Sequence, residues 1–238
     1  MTEAAQPSEF SEGLWLFDSP HLWALFLCLL AIVCVPLIGR CLSLQNRRRA
    51  VWALVAFAIA QELVDYGNRA SVRGLNLAQD LPLHICNYAL AIAAVGLAAR
   101  NRFCFELAYL VGFTAVLQAL LTPDLTDFLN HTEYVVYFIH HGLIILFALW
   151  NVVVDGMVTR RGAVWRTFAF LNLMILPVAV VNWLLDANYM YLREIPNVDN
   201  PLVFGEWPRY IVNVEVIGLL LLILANIPMR LLRRRNAR

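Results

Sequence analysis

The chain has 238 residues, 61% of them hydrophobic and 15% charged, with a formal net charge of +1 and a mean hydropathy of +0.66. Soluble domains run nearer half apolar and a quarter charged, so this composition excludes an ordinary water-soluble fold and makes lipid part of the solvent. Near-neutral charge leaves no electrostatic footprint for nucleic acid, and membrane lipids are the expected partners.

All eighteen basic residues are Arg, a composition bias that no single function would demand. Cys28, Cys34, Cys41, Cys86 and Cys104 form no CxxC pair and no disulfide-like framework. Within apolar runs such thiols behave as small hydrophobes. The first twenty residues carry Glu3, Glu9, Glu12 and Asp18 but no basic residue. A secretory signal needs a positive start and a small-residue cleavage site, so the first apolar run is expected to stay as a membrane helix.

A spanning helix needs roughly 20 mostly apolar residues. In chain order, such segments fall near 21–39, 51–68, 83–99, 103–121, 134–154, 167–185 and 210–229. The second is the least hydrophobic, because Gln61, Glu62, Asp65 and Asn68 lie near its end. The loops after the first, third, fifth and seventh segments hold fourteen of the eighteen arginines. Only Arg69, Arg73, Arg193 and Arg209 fall on the other side. By the positive-inside rule the arginine-rich side is cytoplasmic. The expectation is an all-α polytopic membrane bundle of about seven helices, a single domain over 1–238, with the N-terminus out and the C-terminus in. A multi-pass place in a bacterial plasma membrane follows.

Intramembrane polar groups are costly and by default mark function. Here they gather at the outer ends of the segments. Gln61, Glu62, Asp65, Tyr66 and Asn68 close the second; His84, Cys86 and Asn87 open the third. Gln118 and Thr122 close the fourth, and His140 and His141 lie in the fifth. Asn182, Asp186 and Tyr189 end the sixth, while Tyr210, Asn213 and Glu215 open the last. The inner halves hold only scattered polar groups such as Glu106 and Asn151. A channel needs a continuous polar track, so a one-sided cavity is the better expectation.

Within that cluster, Cys86 and His141 sit at similar depth at about 1.5 Å of rise per residue. A Cys–His pair can do acyl chemistry, because imidazole takes the thiol proton and the thiolate attacks carbonyl carbon. His140 and His141 point about 100° apart on a helix, so one is expected at the site and the other at a helix interface. Asp65 or Asp186 could orient a histidine; Asp65 shares a face with Gln61, and Asp186 with Asn182, at i, i+4. Against this stand plainer readings: Cys86 as packing, His84 as an interfacial histidine, and the carboxylates as charges reaching for headgroups or for Arg69 and Arg73.

Three segments together resemble the YwaF-type family of integral membrane proteins. They are Leu81-Pro82-Leu83-His84-Ile85-Cys86-Asn87, Leu117-Gln118-Ala119-Leu120-Leu121-Thr122-Pro123-Asp124 and Phe138-Ile139-His140-His141-Gly142-Leu143. Asn188-Tyr189-Met190-Tyr191-Leu192 and Glu206-Trp207-Pro208 extend the likeness, which covers roughly 50–230. A eukaryotic branch of that family is regarded as a phospholipid acyltransferase with a catalytic Cys and His. The resemblance implies Cys86 and His141 for those roles. The family often has an acidic residue where this chain has Asn87, and a small one where it has His140.

The leading expectation is a membrane-embedded lipid acyltransferase or hydrolase without cofactor or metal. Cys86, His141 and Asp65 or Asp186 would be catalytic, with His84, Asn87, Gln118, His140 and Tyr189 around the substrate. One rival is a zinc-dependent seven-span lipid amidase, for which His84, His140, His141 and Asp186 are suitable ligand types. The other is a non-enzymatic small-molecule carrier or sensor.

Overall fold

The computed structural model describes residues 10, 13–124, 128–196 and 202–236. It is all-helical, about 75% helix, with no strand among the described residues. Helix α1 (Ser19–Cys41) starts at Asp18, whose carboxylate accepts the His21 N–H at 2.8 Å. Helix α2 (Leu44–Val72) starts at Ser43. Helix α3 (Ile85–Ala99) is followed by α4 (Arg102–Leu121), which Asn101 caps through the Phe103 and Cys104 N–H groups. Helix α5 (His131–Val153) is capped by Asn130, and its Glu133 reaches back to the Leu129 N–H. These are the side-chain acceptors that orphan N–H groups at a helix start require. Helices α6 (Ala163–Leu185), α7 (Arg209–Ala225) and α8 (Ile227–Asn236) complete the chain.

Among the described residues, six helical stretches are long and apolar enough to cross a membrane: α1, α2, α4, α5, α6 and 209–235, which joins α7 to α8. The segment expected at 83–99 is a 15-residue helix, shorter than the roughly 20 residues of a full span. Its late start has a local cause. Pro82 disfavours helical backbone at Leu81, and the helix begins only after His84 in extended geometry.

Packing makes α5 the centre. Of its apolar window 72% is buried, against 11% for α6, so α5 is surrounded by protein while α6 presents apolar side chains outward. Helices α1, α2, α3 and α4 all pack on α5. Phe138, Ile144, Phe147, Ala148 and Trp150 form the core along it. Small residues Ala89, Ala93 and Gly96 let short α3 approach closely, as is usual where lipid-embedded helices associate.

The tightest approach lies between α1 and α5. A Cβ on Gly39 would come within 2.5 Å of the Trp150 ring. Gly39→Val is therefore expected to cost about 1–3 kcal/mol by overpacking, read as earlier unfolding of the detergent-solubilised protein. Unchanged unfolding would show that Trp150 yields freely.

At the arginine-poor end, α2 and α5 run antiparallel and are tied together. Asn68 and Asn130 exchange hydrogen bonds at 3.1 and 3.4 Å. Arg69 meets Asp65 at 2.8 Å, Asp80 at 3.4 Å and Glu133 at 3.4 Å. Asp80 also accepts from Arg73 and from the Asn76 N–H, which pins residues 73–84 over this end. Burial pushes the Asp80 carboxyl up, but these bonds and the Arg73 and Arg69 charges outweigh it and hold it below the usual carboxylate range.

Candidate functional site

Three helices converge beneath residues 73–84. Cys86 lies in the first turn of α3 and is partly buried. His140 and His141 on α5 are 7% and 4% exposed, and His140 Nε2 lies 3.2 Å from the Cys86 carbonyl. The sequence expectation put one histidine at the site and the other at an interface; His140 meets Glu62 and the Cys86 carbonyl, while His141 meets the carbonyl and ring of Tyr137 on its own helix. The two histidine ring centres are 5.3 Å apart.

The two rings are held differently. His141 Nδ1 lies 2.8 Å from the Tyr137 carbonyl one turn back, and its ring packs on Tyr137 at 4.1 Å. A carbonyl only accepts, so Nδ1 carries the proton and Nε2 keeps its lone pair in the neutral ring. His140 Nδ1 instead lies 2.6 Å from Glu62 Oε1, and its Nε2 lies 3.2 Å from the Cys86 carbonyl. Both of those neighbours are acceptors, so the doubly protonated ring is the form that satisfies both. Gln61 Nε2 donates to the same Glu62 oxygen at 2.5 Å and to the Ala58 carbonyl at 3.2 Å, which fixes the carboxylate from the α2 side.

Cys86 gains a further favourable field from its own helix. His84 provides no side-chain cap to α3, and the first N–H groups of a helix have no intrahelical partner. Such an N-terminus favours negative charge on a thiolate. It also offers donors to an oxyanion forming beside the sulfur.

The other expected residues are distributed around this centre. Asp65 is one turn along α2 from Gln61 but is paired with Arg69 at 2.8 Å, and Glu62 takes the place beside a histidine. The i, i+4 partner Arg69 captures Asp65, while Glu62 faces α5. Asp186 ends α6 with its side chain 68% exposed and bonded to Arg193 at 2.5 Å; that guanidinium holds its carboxyl below the usual range. The structure does not bring Asp186 to either histidine.

His84 caps α3 in extended geometry and packs against the rings of Tyr189 at 5.3 Å and Tyr191 at 5.5 Å. Tyr189 is buried, donates its hydroxyl to the Leu77 carbonyl at 2.7 Å and accepts the Leu81 N–H at 2.8 Å. Asn182 holds the Tyr189 backbone through both its amide atoms. This pair fastens residues 73–84 above Cys86. Asn87 is partly buried in the first turn of α3. Gln118 is partly buried near the end of α4, and its carbonyl accepts from Thr122.

Two placements were not legible beforehand. Glu62 stood among several carboxyl and amide groups with nothing in its spacing to single it out. His21 is fully buried, accepting the Phe17 N–H on Nδ1 and donating from Nε2 to the Leu120 carbonyl at 2.9 Å; its place in the first turn of an apolar run was the only hint. No group of three His, Cys, Asp or Glu side chains suited to a metal ion occurs among the described residues.

These observations define a multi-pass membrane protein, all-helical among the described residues, with Cys86 near two adjacent buried histidines at one end. The TMEM164 family model, a transmembrane protein family, matches residues 16–225, and the chain belongs to that family. No curated protein and no solved structure matches it.

Proposed function

We propose that this protein is a membrane-embedded thiol acyltransferase or hydrolase acting on lipids. The observation that carries the reading is the approach of His140 to Cys86, with Nε2 3.2 Å from the Cys86 carbonyl and His141 the next residue along α5, at an uncapped helix N-terminus. Cys86 is the nucleophile and His141, with its Nε2 lone pair free, is the base. The resemblance to YwaF-type proteins, whose eukaryotic branch is regarded as a phospholipid acyltransferase, supports the same two residues. His84, Asn87, Gln118 and Tyr189 surround the lipid headgroup region in this reading, and the flanking apolar helices receive the acyl chain.

The direct test is to trap the acyl-enzyme. Purified protein given a phospholipid with a labelled acyl chain is expected to carry label that neutral hydroxylamine removes, as it does a thioester. Cys86→Ala protein carrying the same label would overturn the reading.

In the same proposal the chain crosses a bacterial plasma membrane seven times, with α3 and the residues before it completing the remaining pass. The arginine segregation supports an N-out, C-in arrangement. A reporter fused after Arg238 is expected to read cytoplasmic, and an externally accessible C-terminus would overturn this topology.

A further inference from the structure

We propose that the two histidines divide the proton traffic at Cys86, with His141 as base for the thiol and the His140–Glu62 pair as the acid for the leaving group. The inference rests on the reading of Cys86 as nucleophile. It goes further in giving His140 a chemical task and Glu62 a positioning one, neither of which the spacing of residues in the sequence suggested.

The argument is the difference between the second partners. His141 Nδ1 faces the Tyr137 carbonyl at 2.8 Å, which takes the Nδ1 proton and leaves Nε2 as the position that can receive one. His140 Nδ1 faces a carboxylate at 2.6 Å, and its Nε2 faces the Cys86 carbonyl at 3.2 Å. A buried imidazolium is tolerated when a fixed anion pairs with it. The charged and titratable groups around His140 are Glu62 from α2, Cys86 from α3 and His141 on its own helix. Further along α2, Asp65 and Arg69 neutralise each other at 2.8 Å. Two imidazoles with different second partners, a carboxylate for His140 and a carbonyl for His141, are suited to separate acid and base tasks at one centre.

The steps balance. The thiol proton passes to His141 Nε2 as Sγ attacks the ester carbonyl carbon. The ester C–O bond then breaks, and the departing alkoxide oxygen takes the proton from His140 Nε2, leaving a thioester on Cys86 and a neutral ring still held by Glu62. In the second half an acceptor alcohol or water attacks the thioester carbon and gives its proton to His140 Nε2. The C–S bond breaks, and the thiolate recovers its proton from His141. Glu62 stays ionised throughout, so it positions His140 and does not itself react.

A general acid matters only when the leaving group needs a proton. His140→Gln and Glu62→Gln should each be compared with wild type on a phospholipid ester and on the p-nitrophenyl ester of the same acyl chain. On the phospholipid, His140→Gln is expected to lose about 10²-fold or more. First-turnover release of p-nitrophenolate, which leaves unprotonated and precedes the deacylation step that also uses His140, should fall by no more than about threefold, since acylation then needs no general acid. Glu62→Gln keeps the shape of the carboxylate and should show the same selectivity with a smaller loss. His141→Gln should slow both substrates. Equal losses on the two esters in His140→Gln and Glu62→Gln would mean that these residues only support packing, and would overturn the division of labour. Cys86→Ala that still turns over phospholipid would instead sink the nucleophile. Inactive Cys86→Ala, together with an unchanged leaving-group ratio in His140→Gln, would sink the present inference alone.

Discussion

A thiol-directed lipid probe is expected to label Cys86 ahead of Cys28, Cys34, Cys41 and Cys104. Access alone would predict otherwise, since Cys41 is exposed and Cys86 only partly so. What separates them is the surroundings of each sulfur. Cys28 donates to the Phe138 carbonyl at 3.4 Å, which favours the thiol. Cys86 sits in the first turn of α3 with His140 Nε2 3.2 Å from its carbonyl, and a helix N-terminus with a neighbouring imidazole is the setting of reactive thiols. An unperturbed thiol is only a few per cent ionised near neutrality, so full ionisation raises the reactive fraction by about thirtyfold. Cys86→Ala should abolish this labelling while leaving expression normal. His141→Ala should bring the rate down towards that of the other thiols. Equal labelling of wild type and His141→Ala would separate the sulfur from its base and return Cys86 to simple packing.

The second large effect lies at the opposite end of the bundle. Glu106 on α4 has no exposed surface, and Arg160 holds it through its backbone N–H at 2.7 Å and two guanidinium bonds at 2.9 Å. Arg166 adds a contact at 2.8 Å. The two guanidiniums are 43% and 37% exposed, so they can return to water if the carboxylate is lost. The carboxylate has no such escape. Removing both arginines, as Arg160→Ala with Arg166→Ala, should therefore cost about 3–5 kcal/mol. Glu106→Leu should cost only about 1–2 kcal/mol, chiefly the unsatisfied Arg160 N–H. Unfolding of the two variants by a denaturing detergent checks the asymmetry. Equal losses would show that water already reaches Glu106.

Much of the frame was legible because each feature depends on neighbours along the chain. Apolar length marks the helices, and α4 at Arg102–Leu121 differs by one residue from the expected 103–121. Helix α2 at Leu44–Val72 overruns the expected 51–68, since its charged ends continue the helix beyond the apolar stretch. The gathering of polar residues at one end was visible, as were the types of residue needed for thiol chemistry. Cys86 and His141 were named together from depth and resemblance; the structure puts Cys86 at the start of α3 and His141 within α5, the helix on which α3 packs.

What tertiary structure decided is which polar groups meet. Glu62 and Asp65 are three positions apart with the same chemistry. Only the packing of α2 on α5, and the capture of Asp65 by Arg69, makes Glu62 the partner of His140. The adjacent histidines diverge on their own helix: His140 reaches Glu62 and the start of α3, while His141 stays on Tyr137. The short length of α3, by contrast, has a local cause in Pro82, and protein packed around it makes its non-helical start tolerable. Composition and periodicity determine that a segment enters lipid and which residues resist it. The partner of each resisting residue depends on contacts between helices distant in sequence, and those are set by side-chain packing across the whole bundle.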